Sequence, residues 1–202
     1  MTTKVKTATQ RMAMTPKAEF RVAGEEDGKK YLEGYFIRFN EETELWPGYF
    51  EQIAPESIDD SINSQDIRAL FDHDTAKVLG RTTNNTLELR KDEQGVYGKV
   101  LVNEDDPEAL SIYAKVKRGD VSSASFGFYI DDDEMNQPGD GTYHDTIRSL
   151  TLLEVSVVTF PAYPTTEIDA RKRDVKHLQQ EQFEHRKSQL IKELEEKWQI
   201  QS

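Results

Sequence analysis

The chain has 202 residues, with 38 acidic and 26 basic side chains and a formal net charge of −12 at pH 7. This length suits one domain with a hydrophobic core plus an appendage, and the acidic balance argues against nucleic-acid binding, which needs clustered Lys and Arg. The absence of Cys excludes disulfides, thiolate metal ligands and a cysteine nucleophile. No segment approaches the roughly 18 consecutive apolar residues of a membrane span, so the sequence predicts a soluble intracellular protein without a membrane partner.

Charge and composition divide the chain into three predicted parts. Residues 1–18 contain four basic and no acidic side chains and few bulky apolar residues, which predicts a flexible basic arm. Residues 171–202 lack Gly and Pro and carry apolar residues at helical spacing, which predicts a charged helical tail. The apolar positions of this tail are Leu190, Leu194 and Trp198. Residues 19–170 hold all 11 Gly and are the predicted folded body.

Strand-like runs dominate the folded body. Apolar and polar residues alternate, or β-branched and aromatic residues cluster, in seven segments. These segments begin at residues 19, 29, 48, 67, 86, 123 and 149. The sequence DEQG at residues 92–95 interrupts the fifth segment and predicts a hairpin turn.

Two helices are expected among these strands. In DDPEALSIYAKVKRGD, Asp105 or Asp106 can cap a helix, Pro107 suits its first turn and Gly119 ends its apolar stripe. A shorter helix is expected to begin at Pro55. Many short strands with few helices predict a mainly β (α+β) fold, a closed or nearly closed β-barrel surrounded by helices.

The stretch VSSASFGFYI, residues 121–130, places several Ser in one predicted strand. Period-two alternation puts its Phe side chains on one face and Ser123, Ser125 and Gly127 on the other. A strand Ser is either small filler at a sheet edge or, with a neighbouring base, a nucleophile. Gly127 leaves room for a substrate beside Ser125, which favours Ser125, but Ser123 stays open as the alternative.

Four His are candidates for the base. His73 ends the apolar face of the predicted strand IRALFDHD, where it is either a base or a partly buried structural side chain. His144 follows a Gly-containing polar stretch and is expected on a surface loop. His177 and His185 fall in the charged tail, where a solvent-facing role is expected.

Glu154 is a candidate for the residue that orients the His. It is the only charged residue between Arg148 and Glu167, in the apolar segment LTLLEVSVVTF. An acid in so apolar a strand is costly unless it is paired. Glu154 therefore either holds an imidazole or forms a buried ion pair with an Arg such as Arg81 or Arg148.

Metal chemistry is a weaker alternative. Asp72, His73 and Asp74 together with Asp131–Glu134 supply ligand types for a divalent ion, with Asp72 and Asp74 on the strand face opposite His73. However, DDDEMNQPGDG is typical of a solvated loop, and HExxH, GxSxG, GxGxxG and Walker motifs are absent from the sequence. We therefore predict neither a metal nor a cofactor.

The ordered set GYFEQIAP, ALFDHD with VLGR, a Gly-containing hairpin, VKRGDVSSASFGF and LLEVSVVTFPAYPTTEI resembles the prohead (procapsid maturation) proteases of tailed bacteriophages. The resemblance runs from about residue 19 to about residue 171. It implies a serine endopeptidase with a β-barrel ringed by helices, similar to the herpesvirus assembly protease. It also implies that Ser125 is the nucleophile, His73 the base and Glu154 the orienting acid.

The same resemblance implies the biological setting. Such a protease acts inside the assembling procapsid in the host bacterial cytoplasm, where it cuts scaffold, the scaffolding segment of the major capsid protein, and itself. The alternative is a non-enzymatic scaffold or capsid-associated module on the same fold. The tail, residues 171–202, suits self-association into a homo-oligomer or scaffold docking, or it packs on its own barrel. Backbone N–H groups near Ser125 are the expected oxyanion donors, with Arg148 as a candidate helper.

Overall fold

The computed structural model describes residues 10–26, 28–58, 62, 65–160, 172, 175–176, 179–180, 183–184 and 186–192. The chain forms two compact units, residues 1–163 and residues 164–202. In the part of the chain that the structure describes, no helix is long and apolar enough to cross a membrane.

Strands make up most of the first unit. In chain order they are β1 (Gln10–Met14), β2 (Arg21–Glu26), β3 (Lys29–Arg38), β4 (Thr43–Trp46), β5 (Tyr49–Ile53), β6 (Arg68–Phe71), β7 (Asp74–Arg81), β8 (Leu87–Lys91), β9 (Gly95–Leu101), β10 (Ser123–Asn136) and β11 (Tyr143–Val158). Helix α1 (Pro107–Arg118) lies between β9 and β10. Single 3-10 turns occur at Pro55–Ser57 and Thr82–Asn84.

The strands form two sheets, and the longer sheet is organised around β11. One edge of β11 pairs antiparallel with β10, which in turn pairs antiparallel with β1. The other edge pairs in parallel with β5 over Tyr143–Ile147 and with β6 over Glu154–Val157. Strands β4 and β7 extend this sheet beyond β5 and β6. The smaller sheet is antiparallel, in the order β2-β3-β9-β8.

One hydrophobic core fixes the strand that carries the Ser-rich stretch. Phe126 and Phe128 of β10 are almost completely buried and belong to the same apolar cluster as Phe36 of β3 and Ile112 of α1. Burial of these rings removes apolar surface from water and anchors β10 through one face. The opposite face of β10, which carries Ser125 and Gly127, is thereby held in a defined position.

Several elements predicted from sequence are confirmed. The fold is mainly β with helices, β8 and β9 form the hairpin at residues 92–95, and α1 is capped by the Asp106 side chain, which accepts a hydrogen bond from the Glu108 N–H at 2.9 Å. The short helix at Pro55 is a single 3-10 turn. Gly119 ends α1 with a left-handed φ of 85°.

The predicted closed or nearly closed barrel is not confirmed. The pairings among the described strands give two sheets that each keep free ends, β1, β4 and β7 in one and β2 and β8 in the other. Within the described residues, one isolated bridge, between Phe39 and Ile53, joins the two sheets. Closure would require continuous pairing around all strands.

Strand β1 lies in the segment that the sequence predicts to be a flexible arm. That prediction is wrong for residues 10–14, which pair with β10 from Gln10↔Tyr129 to Met14↔Ser125. Arg11 and Ala13 are 4% and 3% exposed. The segment QRMAM has only one bulky apolar type, Met, and gives little strand signal by itself, so its order comes from pairing with β10.

The first six residues of DDDEMNQPGDG, which the sequence predicts to be a solvated loop, are a strand, and residues 137–141 lie outside the strands. Residues Asp131–Asn136 continue β10, and His144 lies in β11 rather than in a loop. Two inward positions of this hairpin are buried acids, Asp133 and Asp145, and Asp145 accepts a hydrogen bond from the Tyr49 hydroxyl at 2.8 Å. A buried carboxylate can lie in a strand when a hydroxyl group donates a hydrogen bond to it. The polarity of the sequence does not reveal such a partner and therefore suggests a loop.

The described positions of the second unit, from 172 to 192, are helical. Leu190 and Ile191 are 49% and 47% exposed there. The predicted roles of His177, His185, Leu194 and Trp198 concern positions outside the described residues. The division into an arm, a body and a tail at residues 18 and 170 stays a prediction.

The N-terminal cap of helix α1 can be tested by substitution of Asp106. Asp106→Ala removes the side chain that accepts from Glu108 N–H, so we expect the free energy of unfolding to fall by about 1 kcal/mol. Urea unfolding followed by circular dichroism measures the change. The matched control is Asp105→Ala, because Asp105 is exposed and adjacent but does not cap the helix. Equal losses for both substitutions would contradict the assigned cap.

Candidate active site

Ser125 lies near the start of β10, opposite Met14 of β1 and Ser156 of β11. Its hydroxyl oxygen Oγ is 2.8 Å from the Nε2 atom of His73. The hydroxyl also donates to the backbone carbonyl of Ala13 at 2.8 Å. Ser125 is 1% exposed, so its side chain is enclosed by these partners. Ser125, rather than Ser123, is the Ser that β10 brings to the His73 ring.

His73 reaches Ser125 from a tight turn and not from a strand. Strand β6 ends at Phe71, and Asp72 and His73 have φ values of 50° and 58°, which makes them the two central residues of a type I′ hairpin turn into β7. The prediction that His73 ends the apolar face of an extended strand, with Asp72 and Asp74 opposite, is therefore wrong. Both central residues of such a turn have positive φ, a conformation that Asn, Asp and His adopt more readily than other non-Gly residues.

Asp72 ties this turn to the end of β11. Its backbone N–H donates to the Val157 carbonyl at 3.0 Å. Its carboxylate accepts from the Thr159 N–H at 2.7 Å and from the Thr159 hydroxyl at 3.0 Å. These bonds fix the backbone that presents the His73 ring, so Asp72 anchors the turn to the end of β11.

Glu154 completes a chain of hydrogen bonds through the imidazole. Its Oε1 atom is 2.7 Å from His73 Nδ1, and its Oε2 atom accepts from the Ser156 hydroxyl at 2.6 Å. Glu154 is 9% exposed and Ser156 is fully buried. A buried carboxylate is stable only with such partners, and here one partner is the imidazole.

The ion-pair alternatives for Glu154 are wrong. Arg81 pairs with Asp66, with an Nε to Oδ1 distance of 2.6 Å. Arg148 pairs with Glu134 and Glu56. Arg148 lies six positions before Glu154 in β11, about 20 Å away in an extended strand, so Arg148 is also not placed to assist at Ser125.

Gly127 makes room for Glu154. The two residues are paired across β10 and β11, and a Cβ atom on Gly127 would lie 2.6 Å from Glu154 Oε1. The sequence expectation that Gly127 opens space for a substrate is therefore corrected, because the side chain of Glu154 fills that space. Glycine at this position lets a carboxylate lie against the sheet within reach of His73.

Ser156 and the Ala13 carbonyl are site groups that sequence reasoning did not identify. Ser156 lies two residues after Glu154 and so on the same face of β11, a spacing that the motif LEVS shows directly. Ala13 contributes through its backbone, which no side-chain pattern reveals. In the part of the chain that the structure describes, no group of three or more His, Asp or Glu side chains is arranged to hold a metal ion.

Ser125, His73 and Glu154 form a continuous hydrogen-bonded row, and their residue types suit a nucleophile, a base and an orienting acid. With the Nδ1 proton directed at Glu154, the Nε2 lone pair faces the Ser125 hydroxyl and can accept its proton. A carboxylate in the position of Glu154 can fix this tautomer and stabilise an imidazolium that forms when the proton moves. The geometry is that of Ser–His–acid acyl transfer.

The amino-acid sequence was compared with known protein families, curated proteins and solved structures. The chain matches the caudovirus prohead serine protease family over residues 17–181. It belongs to that family. The match covers β2 to β11 and therefore all three residues of the hydrogen-bonded set. No curated protein and no solved structure gives a significant match.

Membership in the prohead serine protease family confirms the predicted family and assigns the general activity. The chain is a serine protease, and its role is in bacteriophage capsid maturation. The members of the hydrogen-bonded set carry the residue types that such a hydrolase requires.

Gly127→Ala tests the packing of Glu154 against β10. The added Cβ would overlap Glu154 Oε1, so the carboxylate must move away from His73. We expect the rate of proteolysis to fall by about 10²- to 10³-fold, less than for removal of the base, because the His73 ring is misplaced but still present. We expect the protein to remain folded. The measurement is the cleavage rate of a protein substrate, with a thermal melt as the check on folding.

Ser123→Ala is the matched control for Gly127→Ala, because Ser123 lies on the same strand face but is paired with Val158, away from Glu154. We expect it to retain activity. Unchanged cleavage by a folded Gly127→Ala protein would contradict the need for Glu154 at its observed position.

Proposed function

We propose that Ser125, His73 and Glu154 are the catalytic triad of an endopeptidase that cleaves scaffold, the scaffolding segment of the major capsid protein, or both, and also itself, during procapsid maturation. The single observation that carries this proposal is the continuous chain from Ser125 Oγ to His73 Nε2, at 2.8 Å, and from His73 Nδ1 to Glu154 Oε1, at 2.7 Å. Membership in the prohead serine protease family supports it.

In the proposed first half-reaction, Ser125 Oγ attacks the carbonyl carbon of the scissile peptide. Its proton passes to His73 Nε2, and the carbonyl oxygen becomes an oxyanion. When the tetrahedral intermediate collapses, the C–N bond breaks and His73 returns the proton to the leaving amine. An ester between Ser125 and the amino-terminal part of the substrate remains.

In the second half-reaction, water replaces the amine. His73 takes a proton from the water, whose oxygen attacks the ester carbonyl, and then returns a proton to Ser125 Oγ as the acid product leaves. Glu154 stays ionised throughout and stabilises the imidazolium in both halves. Ser156 donates to the other oxygen of Glu154 and so helps to fix the position of the carboxylate.

The place of action follows from the same proposal. A protease whose substrates line the inside of a procapsid works in the host bacterial cytoplasm within the assembling particle. The alternative, a non-enzymatic assembly module, has no requirement for an ordered Ser–His–Glu chain, so the triad geometry favours the enzyme. Self-association and scaffold docking through residues 171–202 stay predictions.

Co-expression with the capsid and scaffold proteins tests the triad. We expect Ser125→Ala and His73→Ala each to reduce cleavage by about 10⁴-fold, because the first removes the nucleophile and the second removes the base that accepts its proton. We expect Glu154→Gln to reduce cleavage strongly, because it removes the carboxylate that orients the imidazole. Intact-mass analysis of the fragments measures the loss. The matched controls are Ser123→Ala and Asp74→Asn, which change the same strand and the same turn outside the triad.

Two results would remove the proposal. One is full cleavage by folded His73→Ala protein. The other is cleavage that survives Ser125→Ala and is abolished by EDTA, which would indicate metal-dependent hydrolysis.

A further inference from the structure

The nucleophile of the proposed triad is closed to substrate in this structure. Ser125 is 1% exposed, and its hydroxyl donates to the Ala13 carbonyl at 2.8 Å. A hydroxyl has a single proton, so a bond to Ala13 competes directly with transfer to His73. A scissile carbonyl must lie about 3 Å from Oγ, which is close to where the Ala13 carbonyl oxygen already lies.

Strand β1 covers the nucleophile, and it is a peripheral element of the sheet. It lies at one end of the sheet order and pairs with β10. Its residues, Gln10–Met14, precede the segment 17–181 that matches the protease family. The strand that closes the site is therefore separate from the part of the chain that carries the family's common features.

Strand β1 is docked by charge as well as by backbone pairing. The Arg11 guanidinium is buried and lies 3.8 Å from the buried Glu51 carboxylate. The connection from β1 to β2 holds Lys17 and Glu19 at φ values of 49° and 47°, a conformation that is unfavourable for these side chains. The connection that follows β1 thus carries strained backbone at two positions.

We propose that the edge of β10 beside Ser125 is the peptide-binding surface of the protease, and that β1 occupies it as an intramolecular peptide ligand. This inference rests on the proposed function. An extended peptide that adds antiparallel to a sheet edge gains backbone hydrogen bonds from the strand and specificity from alternate side chains. Displacement of β1 exposes the edge and leaves the Ser125 proton to His73.

The side chains of β1 define the class of peptide that fits. Ala13 lies opposite Phe126, is 3% exposed, and belongs to the apolar core, so the edge accepts a small apolar side chain there. Arg11, two residues earlier on the same face, reaches Glu51. The preferred ligand is an extended segment with a basic residue two positions before a small one, the pattern of Arg11-Met12-Ala13.

The test begins with undocking β1 in the full chain. Arg11→Glu places a carboxylate beside Glu51. Lys17→Glu is the matched control, because it likewise places a carboxylate beside a Glu, here Glu41, but in an exposed ion pair outside β1. Hydrogen exchange of residues 10–14 reports whether β1 has left. The rate at which a fluorophosphonate modifies Ser125 reports access to the nucleophile.

We expect Arg11→Glu to increase both hydrogen exchange in β1 and the modification rate of Ser125, the latter by at least about tenfold, while Lys17→Glu stays within about twofold of the parent chain. A synthetic peptide of residues 10–16, labelled with a fluorophore, should bind the Arg11→Glu protein and slow its modification. A peptide with the same residues in scrambled order should do neither. If Arg11→Glu does not fold, Arg11→Gln replaces it, with the same expectations at smaller amplitude.

Faster exchange in β1 without faster modification of Ser125, or slower modification in a folded variant, would overturn the inference, because β1 would then complete the site instead of covering it. Absence of peptide binding would also overturn it. Failure of the proposed function gives a different result, in which the peptide binds the undocked protein but no chain, parent or variant, forms an adduct at Ser125.

Discussion

The hydrogen bond between Ser125 and His73 depends on β11, which contributes neither residue. β11 pairs with β10 on one edge and with β6 on the other, so the strand that carries Ser125 and the strand that leads to His73 lie on either side of it. The Asp72 backbone and carboxylate then bind the end of β11 and fix the turn. Glu154, from β11 itself, lies between the two flanking strands and reaches the imidazole.

The relative positions of Ser125, His73 and Glu154 therefore depend on the register between β10 and β11. A shift of one residue between β10 and β11 would send Ser125 to the face of Phe126 and remove Gly127 from opposite Glu154. The Phe rings of β10 resist such a shift because their burial fixes which face is inward. The hydrogen-bonded arrangement of Ser125, His73 and Glu154 is therefore a consequence of core packing on the opposite face of the same strand.

Sequence patterns predicted the residue types of the site but not all of their local structure. Glu154 stands out as an isolated acid in an apolar strand. Alternation around the Phe pair places both Ser123 and Ser125 on the face away from the rings, and the family resemblance implies Ser125. The turn at His73 was not predicted, because Asp72-His73 continues the period of the preceding strand and gives no Gly or Pro signal. Strand β1 was not predicted because its order depends on β10, more than a hundred residues away, and the barrel was inferred from strand number, which does not determine closure.

The most direct measurement of the triad is the position of a covalent phosphonate adduct. The protein is incubated with a peptidyl phosphonate and digested, and the modified residue is located by peptide mass mapping, with His73→Ala treated in parallel. A phosphonate adduct requires an activated hydroxyl, so we expect modification at Ser125 in the parent chain and its loss in His73→Ala. An adduct at Ser123, or equal modification of Ser125 without His73, would contradict the Ser125–His73–Glu154 assignment.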